Sequence, residues 1–260
     1  MILALQNAQN GGLKTMKNGI DVSKHNGVID WQSVKAFGKV DFAILRAGYG
    51  KSISQKDAKF EQNYAGAKAQ GIPVGAYWYC YAKTPAEAKQ EALVCIECLK
   101  GKQFEYPIFY DVEEDSTLKT GINNVSAIAD AFCEELEKAG YYVGIYAAKS
   151  QLENYFTNSV KSRYTVWVAH VNVTKTNYTG IYTVWQYSWK GRIPGIKGDV
   201  DLDYCYRDFP EQIKAAGLNG YQKTAEASAQ PVVQSAVHDT VQVTMQVNGK
   251  AYSGVLVAVE

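Results

Sequence analysis

The chain has 260 residues, 47% hydrophobic and 20% charged, with Lys+Arg 27 against Asp+Glu 26 and a formal charge of +1. This balance argues against disorder and gives no general attraction to nucleic acid or an anionic membrane. No stretch approaches the roughly 18 unbroken apolar residues of a membrane span. The length suits one large domain, or one domain with a small appendage. The 19 tyrosines and 5 tryptophans suit either a surface that stacks on flat ligands or an aromatic core.

Residues 1–16 lack the basic start and sustained apolar run of a secretory signal and read as a leader or loose arm. From Gly19, β-rich runs alternate with helical periodicity. Residues 19–22 form the first strand; an Asn26-Gly27 turn and an Asp30 cap then open a helix through WQSVKAF. Residues 42–47 (FAILRA) form the second strand, and a helix over 58–70 is ended by Gly71 and Pro73. Residues 74–81 (VGAYWYCY) form the third strand, and Thr84-Pro85 opens the next helix with a cap and a first-turn proline. That helix carries Cys95-Ile-Glu-Cys98, a redox or zinc spacing that no second Cys or His pair complements. Both cysteines read as buried helix positions, and the 5 cysteines of the chain as reduced thiols. Residues 107–112 (PIFYDV) are the fourth strand, 122–139 a long helix closed by Gly140, and 143–147 the fifth strand, with a short helix near 150–155. The rhythm then changes: residues 165–169, 183–187 and 200–204 are strands joined by loops with little helix.

Strand–helix alternation with apolar strands predicts an α/β fold built on a parallel sheet. The count of eight strands over about 200 residues, with helices in the first five crossovers, predicts a barrel related to the (β/α)8 type that has lost its last helices. An open doubly wound sheet is the competing topology, but no Gly-x-Gly-x-x-Gly follows the first strand. The barrel is expected to span 17–217, followed by a polar, alanine-rich linker over 218–237 and a short C-terminal β-hairpin appendage over 238–260. The hairpin turns on Asn248-Gly249, a pair that favours the type I′ turn. A lone hairpin is marginal in water, so this one is read as a docked tail or as a tethering or homo-oligomerisation module.

Tyr110-Asp111-Val112-Glu113-Glu114-Asp115 carries the main chemical signal. Consecutive acids after an apolar strand would make a poor core, so the segment is expected to leave the barrel at its mouth, where strand C-terminal ends carry function. Asp111 and Glu113 are two apart on extended backbone and point to one side, their Cα atoms roughly 6.5–7 Å apart. Glycoside cleavage needs such a pair, one carboxyl protonated to serve the leaving oxygen and one charged to stabilise a cationic transition state. A solvated acidic loop would look the same. Asp21 ends the first strand and Asp201 lies on the last, so barrel closure brings both to the same mouth; Asp199 and Asp203 share the strand face of Asp201 and compete for its role. Arg46, near the end of the second strand, is placed to meet a carboxylate of the site or of the substrate. Tyr49, Tyr77, Tyr79, Tyr110, Trp185 and Tyr187 lie in or just after strands, each a candidate subsite ring or core ring, with Gln186 among them. His25, His170 and His238 form no metal constellation, and no metal or cofactor is required.

Gly-Ile-Asp-Val-Ser-Lys-His-Asn-Gly-Val-Ile-Asp-Trp at 19–31 resembles the opening signature of the glycoside hydrolase family 25 muramidases. The resemblance continues in Arg46-Ala-Gly-Tyr-Gly50, Gly75-Ala-Tyr-Trp78, Tyr110-Asp-Val-Glu113, Trp185-Gln-Tyr-Ser188 and Gly195-Ile-Lys-Gly-Asp-Val-Asp-Leu-Asp203, in family order over 17–210. It implies a flattened, TIM-like (βα)5β3 barrel, in agreement with the strand count, and hydrolysis of the β-1,4 bond between N-acetylmuramic acid and N-acetylglucosamine in bacterial peptidoglycan. Position by position, it implies Glu113 as general acid/base, Asp111 as its companion, and Asp21 and Asp201 as the outer acids of the mouth. Arg46, Tyr49, Tyr77, Tyr79, Tyr110, Trp185, Gln186 and Asp203 are expected on the substrate. Asp203 stands where the family usually has Asn, which leaves the division of roles between Asp201 and Asp203 open. Also open is whether Asp111 attacks directly or the substrate's acetamido oxygen attacks with Asp111 orienting it; the backbone spacing exceeds the roughly 5–5.5 Å between the carboxyls of retaining pairs. The expected biology is that of a phage endolysin, made in the host cytoplasm without a signal peptide and acting on the wall after release. The alternatives are a catalytically silent wall-binding protein using the same cleft, and a chitinase, whose Asp-x-x-Asp-x-Asp-x-Glu run is absent.

Overall fold

The computed structural model describes residues 16–223 and two further strands, 241–247 and 250–256. Strands β1 (Lys17–Val22), β2 (Phe42–Tyr49), β3 (Val74–Tyr79), β4 (Ile108–Asp111), β5 (Val143–Ala148), β6 (Thr165–Ala169), β7 (Val184–Gly191) and β8 (Val200–Cys205) close a barrel in sequence order. The first five crossovers hold helices α1 (Trp31–Ala36), α2 (Phe60–Ala69), α3 (Pro85–Leu99), α4 (Asp115–Leu118) with α5 (Ile122–Lys138), and α6 (Lys149–Tyr155) with α7 (Asn158–Arg163). Local signals set the boundaries: the Asp30 carboxylate accepts from the N–H groups of Gln32 and Ser33 to start α1, and Thr84 caps α3 ahead of Pro85. The (βα)5β3 architecture is thus present, and Cys95 and Cys98 lie buried on α3. No helix among the described residues is long and apolar enough to cross a membrane.

The sheet is not parallel throughout. Strands β1 to β6 each pair in parallel with the next strand, but β8 runs antiparallel to both β7 and β1. The reason is connection length: only residues 192–199 join β7 to β8, and a parallel return needs a crossover of a dozen or more residues. A further helix, α8 (Phe209–Ala216), follows β8 where the sequence reading expects none. Its signals were present: Asp208 accepts from Glu211 N–H, Pro210 lies in the first turn, and Gly217 closes it in the left-handed region at φ 68°.

Strand alternation sorts the core into two layers. Ile20 and Val22 of β1, Ala43 and Leu45 of β2, and Ile108 and Tyr110 of β4 face the helices. Phe42, Ile44, Phe109, Tyr146 and Trp167 fill the barrel interior with Tyr106, Tyr142 and Phe209. Interior glycines make room for these rings: a Cβ on Gly19 would lie 2.1 Å from Phe42, and one on Gly144 2.6 Å from Phe109. Phe42 stacks on Tyr106 at 4.3 Å, so the lower barrel is a solid aromatic plug and only its upper end is open to chemistry.

Leu218 and Asn219, expected to start the linker, instead belong to the barrel base, where both are buried. Asn219 accepts from Tyr142 N–H at 2.7 Å and donates to Tyr106 O at 2.9 Å, tying the chain end across two strand entries. A polar side chain that completes two backbone groups reads as loop from composition alone. Contacts divide the chain into two compact units, 1–224 and 225–260. The second holds β9 (Val241–Val247) and β10 (Lys250–Leu256), antiparallel with Val247 opposite Lys250, the register of a two-residue connection at Asn248-Gly249. The leader read over 1–16 lies, but for Met16, outside the described residues, as does most of the expected linker.

Candidate active site

The inward positions of successive strands bring Asp21, Arg46, Tyr77, Asp111, Tyr146, Gln186 and Asp201 to one end of the barrel, above the aromatic plug. On one side of this mouth, Asp111 ends β4 and is buried, with Oδ1 lacking a hydrogen-bond partner. The chain stays extended past it, because Cys80 N–H donates to Asp111 O and Val112 N–H donates to Tyr146 O. Glu113 therefore follows on the same side, half-buried. Arg46 lies between the rings of Tyr49 and Tyr79, 5.1 and 5.4 Å from their centroids. Tyr79 Oη donates to Glu114 Oε2 at 3.2 Å and closes this wall. Burial raises the Asp111 carboxyl well above the usual range; the Glu113 charge adds to this and Arg46 opposes it. Glu113 is also raised, by burial first, against the pull of Arg46.

On the other side, Asp21 lies directly opposite Asp201 in the β1–β8 register. Gln186 Nε2 donates to Asp21 Oδ2 at 2.8 Å, while Gln186 Oε1 accepts from Tyr146 Oη and from Trp189 Nε1, both at 2.9 Å. Burial raises Asp21 well above its ordinary value, with Asp203 and Asp201 adding to the rise. Burial beside Asp199 lifts Asp201 to about 6.

Three of the expected substrate contacts lie elsewhere. Tyr110 faces the helices, fully buried, stacked on Phe132 of α5 at 3.8 Å and donating to Glu91 Oε2. Trp185 also faces outward, its Nε1 donating to His170 O. Both must do so, since Asp111 and Gln186 beside them face inward and neighbours on a strand alternate. Asp203 faces inward but is fully buried and accepts from Trp167 Nε1 at 2.8 Å, so it supports the site rather than lining its surface. Conversely, Tyr146 and Trp167 are interior residues at the site that the sequence reading does not single out, although parity with Gly144 and Ala169 would have marked them. Trp189, 53% exposed at the mouth, is likewise missed. It follows register shifts in β7, where alternation stops being a guide.

Buried and half-buried carboxyls held above their ordinary pKa, with Arg46 on one flank and the exposed Trp189 ring on the other, are equipped for acid–base attack on a glycosidic bond. The family described as glycosyl hydrolases family 25 matches residues 20–196. The autolytic lysozyme of Clostridium acetobutylicum is 30% identical over 199 residues, 76% of this chain and 57% of that protein. The chain thus spans less than two thirds of that relative's length. The bacterial lysozyme from Streptomyces coelicolor is 28% identical with a TM-score of 0.67, covering 78% of this chain and 98% of that structure. The CTP1L endolysin structure is 27% identical with a TM-score of 0.68, covering 76% of this chain and 70% of its own.

Proposed function

We propose that this chain, which belongs to glycosyl hydrolase family 25, is a muramidase that cleaves the β-1,4 bond between N-acetylmuramic acid and N-acetylglucosamine in bacterial peptidoglycan. The observation that carries this is Glu113, half-buried and raised by desolvation, next along an extended segment from Asp111 at the open end of the barrel. A carboxyl that holds its proton toward neutral pH can donate it to the leaving oxygen and then take one from water. Asp111 is its companion. The unpartnered Oδ1 is an acceptor that an amide N–H can fill, which favours attack by the substrate's own acetamido oxygen with Asp111 orienting that group. Asp21 and Asp201 bound the opposite rim and add negative potential where positive charge develops on the sugar. Tyr49, Tyr77, Tyr79 and Arg46 are assigned to substrate binding, and Gln186 to holding Asp21.

The test is mass spectrometry of purified peptidoglycan digested by the wild type and by Glu113→Gln, with new reducing ends tagged by borohydride. Reduced muramic acid ends from the wild type alone are expected. Reduced glucosamine ends would overturn the bond assignment, and no new ends, with both proteins pelleting with the wall, would favour the silent binder. Similarity to an endolysin supports action on the wall after release from the cytoplasm. The C-terminal hairpin is assigned to self-association, because among the described residues its sheet has only two strands, each with an edge that no further strand pairs. Sedimentation of the full chain against residues 1–223 tests this: equal, monomeric species would end that assignment.

A further inference from the structure

Asp203 sits diagonally below Asp21, opposite Gly19 on β1 and Gln186 on β7. Each contact around the two carboxyls has a fixed direction. Trp167 Nε1 is a donor only, so Asp203 Oδ1 must accept from it. Gln186 Oε1 already receives Tyr146 and Trp189, so its amide N–H faces Asp21 Oδ2, which must also accept. Asp203 Oδ2 is buried without a hydrogen-bond partner, and the Asp21 carboxyl, two residues along β1 from its register partner Gly19, interacts with Asp203. Two acceptors set together without a donor are satisfied by one proton between them.

We infer that Asp203 is a positioning residue that holds one proton in a hydrogen bridge between its Oδ2 and the Asp21 carboxylate, so that this pair enters the reaction with a single negative charge. The groups that face it from the neighbouring strands do not replace that proton. Asp201 on β8, Tyr187 on β7 and Tyr77 on β3 make no hydrogen bond to Asp203 Oδ2, Tyr146 Oη on β5 donates to Gln186, and Cys205 Sγ on β8 donates to Arg207 O. Arg46 acts instead on Tyr77, Asp111 and Glu113. Both members of the pair are raised well above an ordinary aspartate, chiefly by burial. The bridge aims Asp21 and limits charge on that rim. Loss of its proton sets two buried charges against each other, and the Asp21 geometry opens.

The inference rests on the muramidase reading only where activity is the readout, and stability tests it separately. A group that keeps its proton in the fold but gives it up on unfolding makes stability fall as pH rises, from the ordinary aspartate pKa up to the raised one. In Asp203→Asn the amide donates to Asp21 at every pH, while its oxygen still accepts from Trp167. The melting temperature of the full-length wild type should therefore fall more steeply with pH, from about pH 4 upward, than that of Asp203→Asn. On peptidoglycan, Asp203→Asn should retain activity at acidic pH and extend its alkaline limb, and Asp203→Leu should lose at least about tenfold at every pH. Parallel melting profiles for wild type and Asp203→Asn would overturn the bridge, whatever Asp203→Leu does. Diverging profiles with no cleavage by either protein would keep the bridge and remove the muramidase reading.

Discussion

The two rims of the barrel mouth solve one problem in different ways. The Asp111–Glu113 rim sets its acids against a cation, Arg46, held between Tyr49 and Tyr79. The Asp21–Asp201 rim has other carboxyls, Asp203 and Asp199, as the strongest charges acting on it, and is held by an amide and an indole. A buried carboxylate costs several kcal/mol unless a cation, donors or a proton compensates it. The first rim can therefore run proton transfer near a charge, while the second keeps its shape through hydrogen bonds whose directions are fixed. The lesson is that acids of similar appearance in sequence take different roles according to what faces them across the barrel.

The largest effect expected is on the first rim. Glu113→Gln leaves an isosteric side chain without a transferable proton, and kcat should fall about 10²- to 10⁴-fold with melting temperature preserved. Retained turnover would move the acid/base role to the other rim. Arg46→Met removes the cation that opposes the rise of Asp111 and Glu113, so both should titrate higher. Both limbs of the pH–rate profile should shift to higher pH, and kcat/KM should drop about tenfold or more. A profile that scales down without moving would show that Arg46 serves only the substrate.

On the second rim, Trp189→Ala removes an exposed ring and one of the two donors that fix Gln186. A rise in KM of about tenfold, larger than the change in kcat, is the expected sign of a lost stacking surface. The smallest effect lies behind the first rim. Glu91 on α3 accepts from Tyr81 N–H and Tyr110 Oη, and burial lifts its carboxyl to about 7. The folded chain keeps this proton longer than the unfolded one, so it lowers stability as pH rises from about 4.3 toward 7. Glu91→Gln should flatten that part of the melting-temperature profile by a few degrees; an unchanged slope would show that Glu91 does not titrate there.

Most of the frame was legible. The strand runs, Asp30 and Thr84 as caps, Gly71 and Gly140 as stops, and the pairing of the two strands on either side of Asn248-Gly249 follow from local chemistry, and each appears in the fold. The strand acids were legible too, because a carboxyl at the end of an apolar strand has no apolar place to go. The aromatic assignments were weaker. Tyr110 and Trp185 carry the same residue types as a sugar subsite, yet alternation from Asp111 and Gln186 turns them into the helix layer. That parity could have been applied from the sequence; the register shifts that bring Trp189 to the mouth could not.

By itself the sequence determined the alternation of elements, the eight strands and the acids at their ends, because periodicity, caps and turns act within a few residues. Only the tertiary structure decided the antiparallel turn of β8, the burial of Asp203 against Trp167, and the separation of the acids into a rim with a cation and a rim without one. Those outcomes depend on which strands become neighbours when the barrel closes, and on what dielectric and partners each carboxyl then meets.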